Sequence, residues 1–147
     1  MHINRDLPYV DEHAITIAVP RDQVWTALRR YVTTSIGVSD GNLLARLLGT
    51  SPRSGFEVTE AVPADRLTLA GRHRFSRYAL VFELHDKADD ITKLRAKTYA
   101  VFPGPHGRIY RVLVIGTRAH VLATNRMLRA VRRLSLGQTS APRPYRA

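Results

Sequence analysis

Ile15, Ile17 and Val19 alternate with Ala14, Thr16 and Ala18, the period-two pattern of a strand with one buried face. Pro20 follows, where the first turn of a helix tolerates it. Val24, Trp25, Leu28, Tyr31 and Val32 then fall on a single helical stripe. Ser39 and Asp40 can cap a short second helix carrying Leu43, Leu44, Leu47 and Leu48, with Gly49 as its stop.

After residues 50–55, rich in turn formers, the period becomes two and stays there. Phe56, Val58 and Val62 alternate with polar or small residues, and Pro63-Ala64-Asp65 turns the chain. Leu67 and Leu69 continue the alternation, and Gly71 interrupts it as a bulge or bend. Tyr78, Leu80, Phe82 and Leu84 share one face. Beyond a polar turn at residues 86–90, Leu94, Ala96, Thr98, Ala100 and Phe102 share a face opposite Lys93, Arg95, Lys97 and Tyr99. Consecutive strands on short polar turns predict antiparallel pairing, with one face inward and the other wet.

The last segment fits only one period. At a helical 100° per residue, Arg108, Arg111, Arg118, Arg126, Arg129, Arg132 and Arg133 fall within an arc of about 120°. Ile109, Val112, Leu113, Gly116, His120, Ala123, Met127, Ala130, Val131 and Leu134 fill a separate arc of about 100°. A strand would scatter Arg108 and Arg111 to opposite faces. The pattern therefore predicts one helix over residues 105–134, about 45 Å long at ~1.5 Å per residue, with Gly116 as a bend. Residues 1–11 read as a flexible leader, 12–135 as a single domain, and 136–147, with Pro142 and Pro144, as a disordered tail.

Charge sharpens this picture. The chain carries 23 Lys and Arg against 12 Asp and Glu, a net +11. Residues 71–147 hold sixteen basic and four acidic side chains, and nothing acidic follows Gly104. Such asymmetry can mark a nucleic-acid or anionic-membrane partner. Nucleic acid is not the expected one, because no reading module and no interleaved aromatics accompany the arginines; a solvated face explains them more simply. Ile115 and Leu122 break the arginine arc, which suggests a homodimer seam or a membrane-surface contact as against ordinary scattered exposure. The absence of cysteine excludes disulfides, thiolate-held zinc, iron–sulfur clusters and a cysteine nucleophile. No run approaches the ~18 apolar residues of a transmembrane segment, and the start does not read as a secretory signal, so a cytoplasmic domain is expected.

The order strand, helix pair, antiparallel strands and long amphipathic C-terminal helix resembles the START-like (SRPBCC) polyketide cyclase/dehydrase superfamily. Two stretches carry the likeness: EHAITIAVPRDQVWTAL at residues 12–28 and FPGPHGRIYRVLVIGTRAHVLATNRML at 102–128. The resemblance implies an α+β helix-grip fold over about residues 10–135. A curved antiparallel sheet of five to seven strands would wrap around the long helix, with two short helices after the first strand. It also implies a cavity for a small apolar or aromatic molecule. The residues agree on one point: Ala96, Thr98 and Ala100 are small and leave space under a helix. The competing reading is that Trp25, Phe56, Tyr78, Phe82 and Phe102 fill it.

The candidate ligand-binding residues are His120, Tyr78, Thr98, Arg74, Trp25 and Phe102. His120 falls in the apolar arc rather than the arginine arc, and a buried imidazole can donate to or accept from a ligand near neutral pH. Tyr78 and Thr98 add hydroxyls on inward faces, Trp25 and Phe102 add aromatic walls, and an inward Arg74 could hold a carboxylate by a two-pronged bond. The plainer alternatives are a structural histidine and a rim arginine paired with Glu57 or Glu60. No catalytic constellation stands out. The six histidines lack helical metal-pair spacing, Asp86, Asp89 and Asp90 read as a solvated turn, and residues 104–107 lack the glycine spacing and lysine of a phosphate loop. No metal or cofactor is expected. The leading expectation is a binding module for an apolar small molecule, followed by a polyketide cyclase/dehydratase-type enzyme, then a basic surface for nucleic acid or an anionic membrane.

Overall fold

The computed structural model describes residues 7–36, 57–73, 76–102, 104–111 and 119–139. In chain order these form β1 (Tyr9–Ile17), α1 (Arg21–Tyr31) with a π-helical turn at Val32–Ile36, β2 (Glu57–Val62), β3 (Arg66–His73), β4 (Ser76–Ala88), β5 (Ile91–Val101), α2 (Gly104–Arg111) and α3 (Ala119–Thr139). The expected second helix at 39–49 and Phe56 lie outside the described residues.

The strands make one antiparallel sheet in the order β1-β5-β4-β3-β2, so the chain's first strand closes the edge next to its last. The inward face follows the alternation in the sequence. Leu67 and Leu69 of β3, Phe82 and Leu84 of β4, Leu94 and Ala96 of β5 and Ile17 of β1 are fully buried. They pack with Val24, Ala27 and Leu28 of α1 and with Leu128 and Val131 of α3 into one core. Burial of each large side chain here stabilises the fold by about 1.5–3 kcal/mol. α3 lies against α1 and β1, and α1 reaches β4 and β5.

Several boundaries differ from the sequence pattern. β1 starts at Tyr9, inside the expected leader, because the Pro8 carbonyl accepts the Ala100 amide at 3.0 Å and Tyr9 meets Tyr99 edge-on at 5.8 Å. Gly71 neither bulges nor splits β3. It sits opposite Tyr78 in an unbroken ladder, where the bulky partner leaves little need for a second side chain. The irregularity of that sheet edge lies instead in β2, between Val58 and Glu60. The outward face is not uniformly wet: Thr68, Ala70, Ala79 and Val81 are buried there, with Lys97 opposite Val81 and Tyr99 opposite Ala79.

The C-terminal region is helical at 104–111 and 119–139; the intervening 112–118, with the expected bend at Gly116, lie outside the described residues. α3 continues past Leu134 to Thr139, into the expected tail. Its buried line is Thr124, Leu128, Val131 and Ser135; of these Val131 belongs to the apolar arc of the sequence, and Ala123 of that arc is exposed. Ser135 can be fully buried because its hydroxyl donates to the Val131 carbonyl at 2.7 Å.

Candidate functional site

The chain leaves β5 at Val101 and turns directly into α2, and two glycines allow this. Gly104 opens the helix at φ +76°, a backbone region that favours glycine. Gly107 is buried against the Phe102 backbone: a methyl there would lie 2.6 Å from the Phe102 carbonyl carbon and 2.8 Å from its oxygen. α2 is thereby seated on the end of β5, and Arg108 and Arg111, one turn apart, are carried to the same place.

Between α2 and the start of β1 lies a cleft of about 340 Å³ lined by Pro8, Tyr9, Val10, Ala100, Val101, Phe102, Arg108 and Arg111. That volume is at the small end of the range for organic-ligand sites. Ala100 faces inward, and the same face continues along the ladder to polar neighbours. Thr98 stands opposite Asp11 on β1 and Leu80 on β4, and Tyr78 stands opposite Ala100. His13, opposite Ala96, donates from Nε2 to Asp11 Oδ2 at 3.0 Å, and both side chains are about three-quarters buried. The Thr98 hydroxyl is buried with no hydrogen-bond partner among the described residues. An aspartate, an imidazole and a spare hydroxyl thus follow the small residues Ala100 and Ala96 along one inward face.

Of the residues singled out in the sequence, Phe102 lines the cleft, and Thr98 and Tyr78 lie on the inward face beside Ala100. Trp25 does not line this cleft; it is half-buried on α1 and packs on the core. His120 is in the first turn of α3, but its side chain lies outside the described residues, as does Arg74. The sequence reading missed Asp11 and His13. The signal was available, since the alternation that sets Ile17 and Ile15 inward, carried two steps further back, reaches both. It also missed Arg108 and Arg111 as lining residues, having treated every arginine of the segment as one solvated face.

Electrostatics elsewhere are structural. On the outward face, burial tends to raise the Glu83 carboxyl pKa, but hydrogen bonds from Lys97 at 3.1 Å and His85 at 3.3 Å outweigh it and hold that pKa below the usual value. Burial pushes the Tyr31 phenol up, with Arg126 of α3 pulling against it. Among the described residues no group of three or more histidine, aspartate or glutamate side chains could hold a metal ion, and no helix is long and apolar enough to cross a membrane.

No protein-family model matches the sequence, and no curated protein does either. Solved structures do. The norcoclaurine synthase of Thalictrum flavum, a point mutant in complex with a transition-state analogue, superposes with a TM-score of 0.56 at 13% identity, covering 92% of this chain and 100% of that one. The Mll3558 protein of Rhizobium loti gives 0.57 at 17% identity over 88% and 99% of the two chains. The ZhuI aromatase/cyclase of Streptomyces sp. R1128 gives 0.51 at 13%, over 92% and 97%. The fold is therefore the helix grip, an α+β architecture shared with a norcoclaurine synthase and an aromatase/cyclase.

Proposed function

We propose that this protein binds a compact, largely apolar small molecule in the cleft between α2 and the paired ends of β1 and β5. The observation that carries the reading is the cleft itself, a 340 Å³ space lined by six apolar or aromatic residues and two arginines. Two of the similar folds belong to proteins named as a synthase and an aromatase/cyclase, which is in keeping with a fold able to enclose an organic guest. Phe102 and Val10 supply the walls, and Thr98 and Tyr78 supply hydroxyls on the adjoining inward face. Position 120, one turn before buried Thr124, is the further contact to test, by His120→Phe.

The neutral fluorophore N-phenyl-1-naphthylamine is a direct probe. Saturable, blue-shifted fluorescence is expected for the native chain, lost in Val10→Trp at an unchanged melting temperature. No saturable binding, or binding that Val10→Trp leaves intact, overturns the reading. Native mass spectrometry of the purified protein would then identify a co-purified guest.

One observation favours a second reading, a cyclase-type enzyme. The His13–Asp11 pair is an imidazole oriented by a carboxylate, the arrangement of a general base. Turnover of polyketide-like substrates that is lost in His13→Phe would establish it; binding without chemical change would leave the carrier reading in place.

A further inference from the structure

The cleft is chemically lopsided. Pro8, Val10, Ala100, Val101, Tyr9 and Phe102 make it apolar and aromatic, while Arg108 and Arg111 bring two positive charges and no acid lines it among the described residues. Arg21, Arg66 and Arg95 each meet a carboxylate, of Asp86, Glu60 and Glu12 respectively. Arg108 and Arg111 meet none among the described residues; Asp11, the acid next to cleft-lining Val10, is paired with His13, and nothing acidic follows Gly104. Two like charges one helical turn apart repel each other and raise the local potential. A neutral guest leaves that repulsion in place. A guest with an anionic group relieves it, and guanidinium groups hold carboxylates, sulfonates and phosphates through charge-assisted, two-pronged hydrogen bonds.

Resting on the binding proposal above, we propose that the cleft selects an amphiphilic organic anion. Its head is held by Arg108 and Arg111 and its apolar body lies against Phe102, Val10 and Ala100. Deeper along the inward face, Thr98 offers its buried hydroxyl to one polar atom at the far end of the guest. The ligand class is thus an aromatic or alicyclic acid rather than a neutral hydrocarbon or a cation.

Two probes with one skeleton separate this claim from the reading it rests on. N-phenyl-1-naphthylamine is neutral, and 8-anilino-1-naphthalenesulfonate carries a sulfonate on the same body. The sulfonate probe is expected to bind on the order of tenfold more tightly, an advantage that falls as salt rises. In the double variant Arg108→Gln/Arg111→Gln the sulfonate probe should lose its advantage over the neutral one and the salt dependence of that advantage should vanish. Arg129→Gln/Arg132→Gln on α3 removes the same charge away from the cleft and should leave both probes unaffected. Equal affinities in the native chain, or an equal loss in the α3 control, overturn the anion site while neutral binding stands. Loss of the neutral probe alone overturns the apolar cleft and leaves the arginine site standing; failure of both probes overturns both.

Discussion

Gly107 is where the cleft is most exposed to a single atom. An ideal Cβ at this position would lie 2.6, 2.8 and 3.2 Å from the carbonyl carbon, oxygen and Cα of Phe102, all of them backbone atoms that cannot rotate aside. Gly107→Ala therefore forces α2 off the end of β5. Overpacking by one methyl group costs about 1–3 kcal/mol. Alanine's helix preference over glycine returns about 0.5–1 kcal/mol. The net loss is about 0.5–2 kcal/mol, a fall in melting temperature of about 1–8 °C for a chain of this size. Gly137→Ala is the matched control: the same substitution inside α3, exposed, with nothing within 4 Å of the added methyl. It should gain about 0.5–1 kcal/mol and melt about 1–4 °C higher. Thermal unfolding followed by circular dichroism should give opposite signs for the two variants, with weaker N-phenyl-1-naphthylamine binding only in Gly107→Ala. If Gly107→Ala proves as stable as the native chain, α2 is not seated on Phe102 and the cleft has a different wall.

Other tests bear on the frame around the site. Thr92 is fully buried and its hydroxyl donates to the Val19 carbonyl at 2.8 Å, tying β5 to the turn before α1. Thr92→Val should cost about 1–3 kcal/mol in urea unfolding, and no loss would mean that Val19 finds another donor. Phe82 is the largest fully buried side chain among the described residues, so Phe82→Ala should cost about 3–5 kcal/mol on the same assay. Glu83 has a folded pKa below its ordinary value, so its contribution is present at pH above the unfolded carboxylate range and is lost as pH falls through the folded value. Glu83→Gln should flatten the acid side of a stability-against-pH curve; parallel curves for the two proteins would remove Lys97 and His85 as its stabilising partners.

Much of the architecture was legible because burial and period coincide. Leu80, Phe82, Leu84, Leu94 and Ala96 are inward in both the pattern and the fold, and so is the α1 stripe of Val24, Leu28 and Val32. Strand ends were less legible, because pairing rather than hydrophobicity sets them. Tyr9 joins β1 through Tyr99, a residue ninety positions away with which it shares no local signal. Gly71 misled for the same reason, since its regular geometry depends on Tyr78 across the ladder. Of the site, the inward hydroxyls and Phe102 were readable from alternation. The role of Arg108 and Arg111 was not, because a helical projection groups residues by angle and cannot show which turn of the helix overhangs a cleft.

The face of α3 carries the most consequential difference for function. The helical projection placed Ala123, Met127, Ala130, Val131 and Leu134 on the inward arc; Val131 is fully buried and Met127 and Leu134 pack against the core, but Ala123 is exposed. In the fold the line runs through Thr124, Leu128, Val131 and Ser135, because a helical hydroxyl can satisfy itself on the preceding turn, as Ser135 does on Val131, and then be buried at little cost. The helix thus presents hydroxyl-bearing turns on the side that packs toward β1 and α1. The polar groups Asp11, His13 and Thr98 lie on the facing sheet surface, toward its β1 edge. Under the proposal of an amphiphilic organic anion, an interior with polar groups concentrated toward one edge and aliphatic side chains elsewhere would orient a guest with distinct ends.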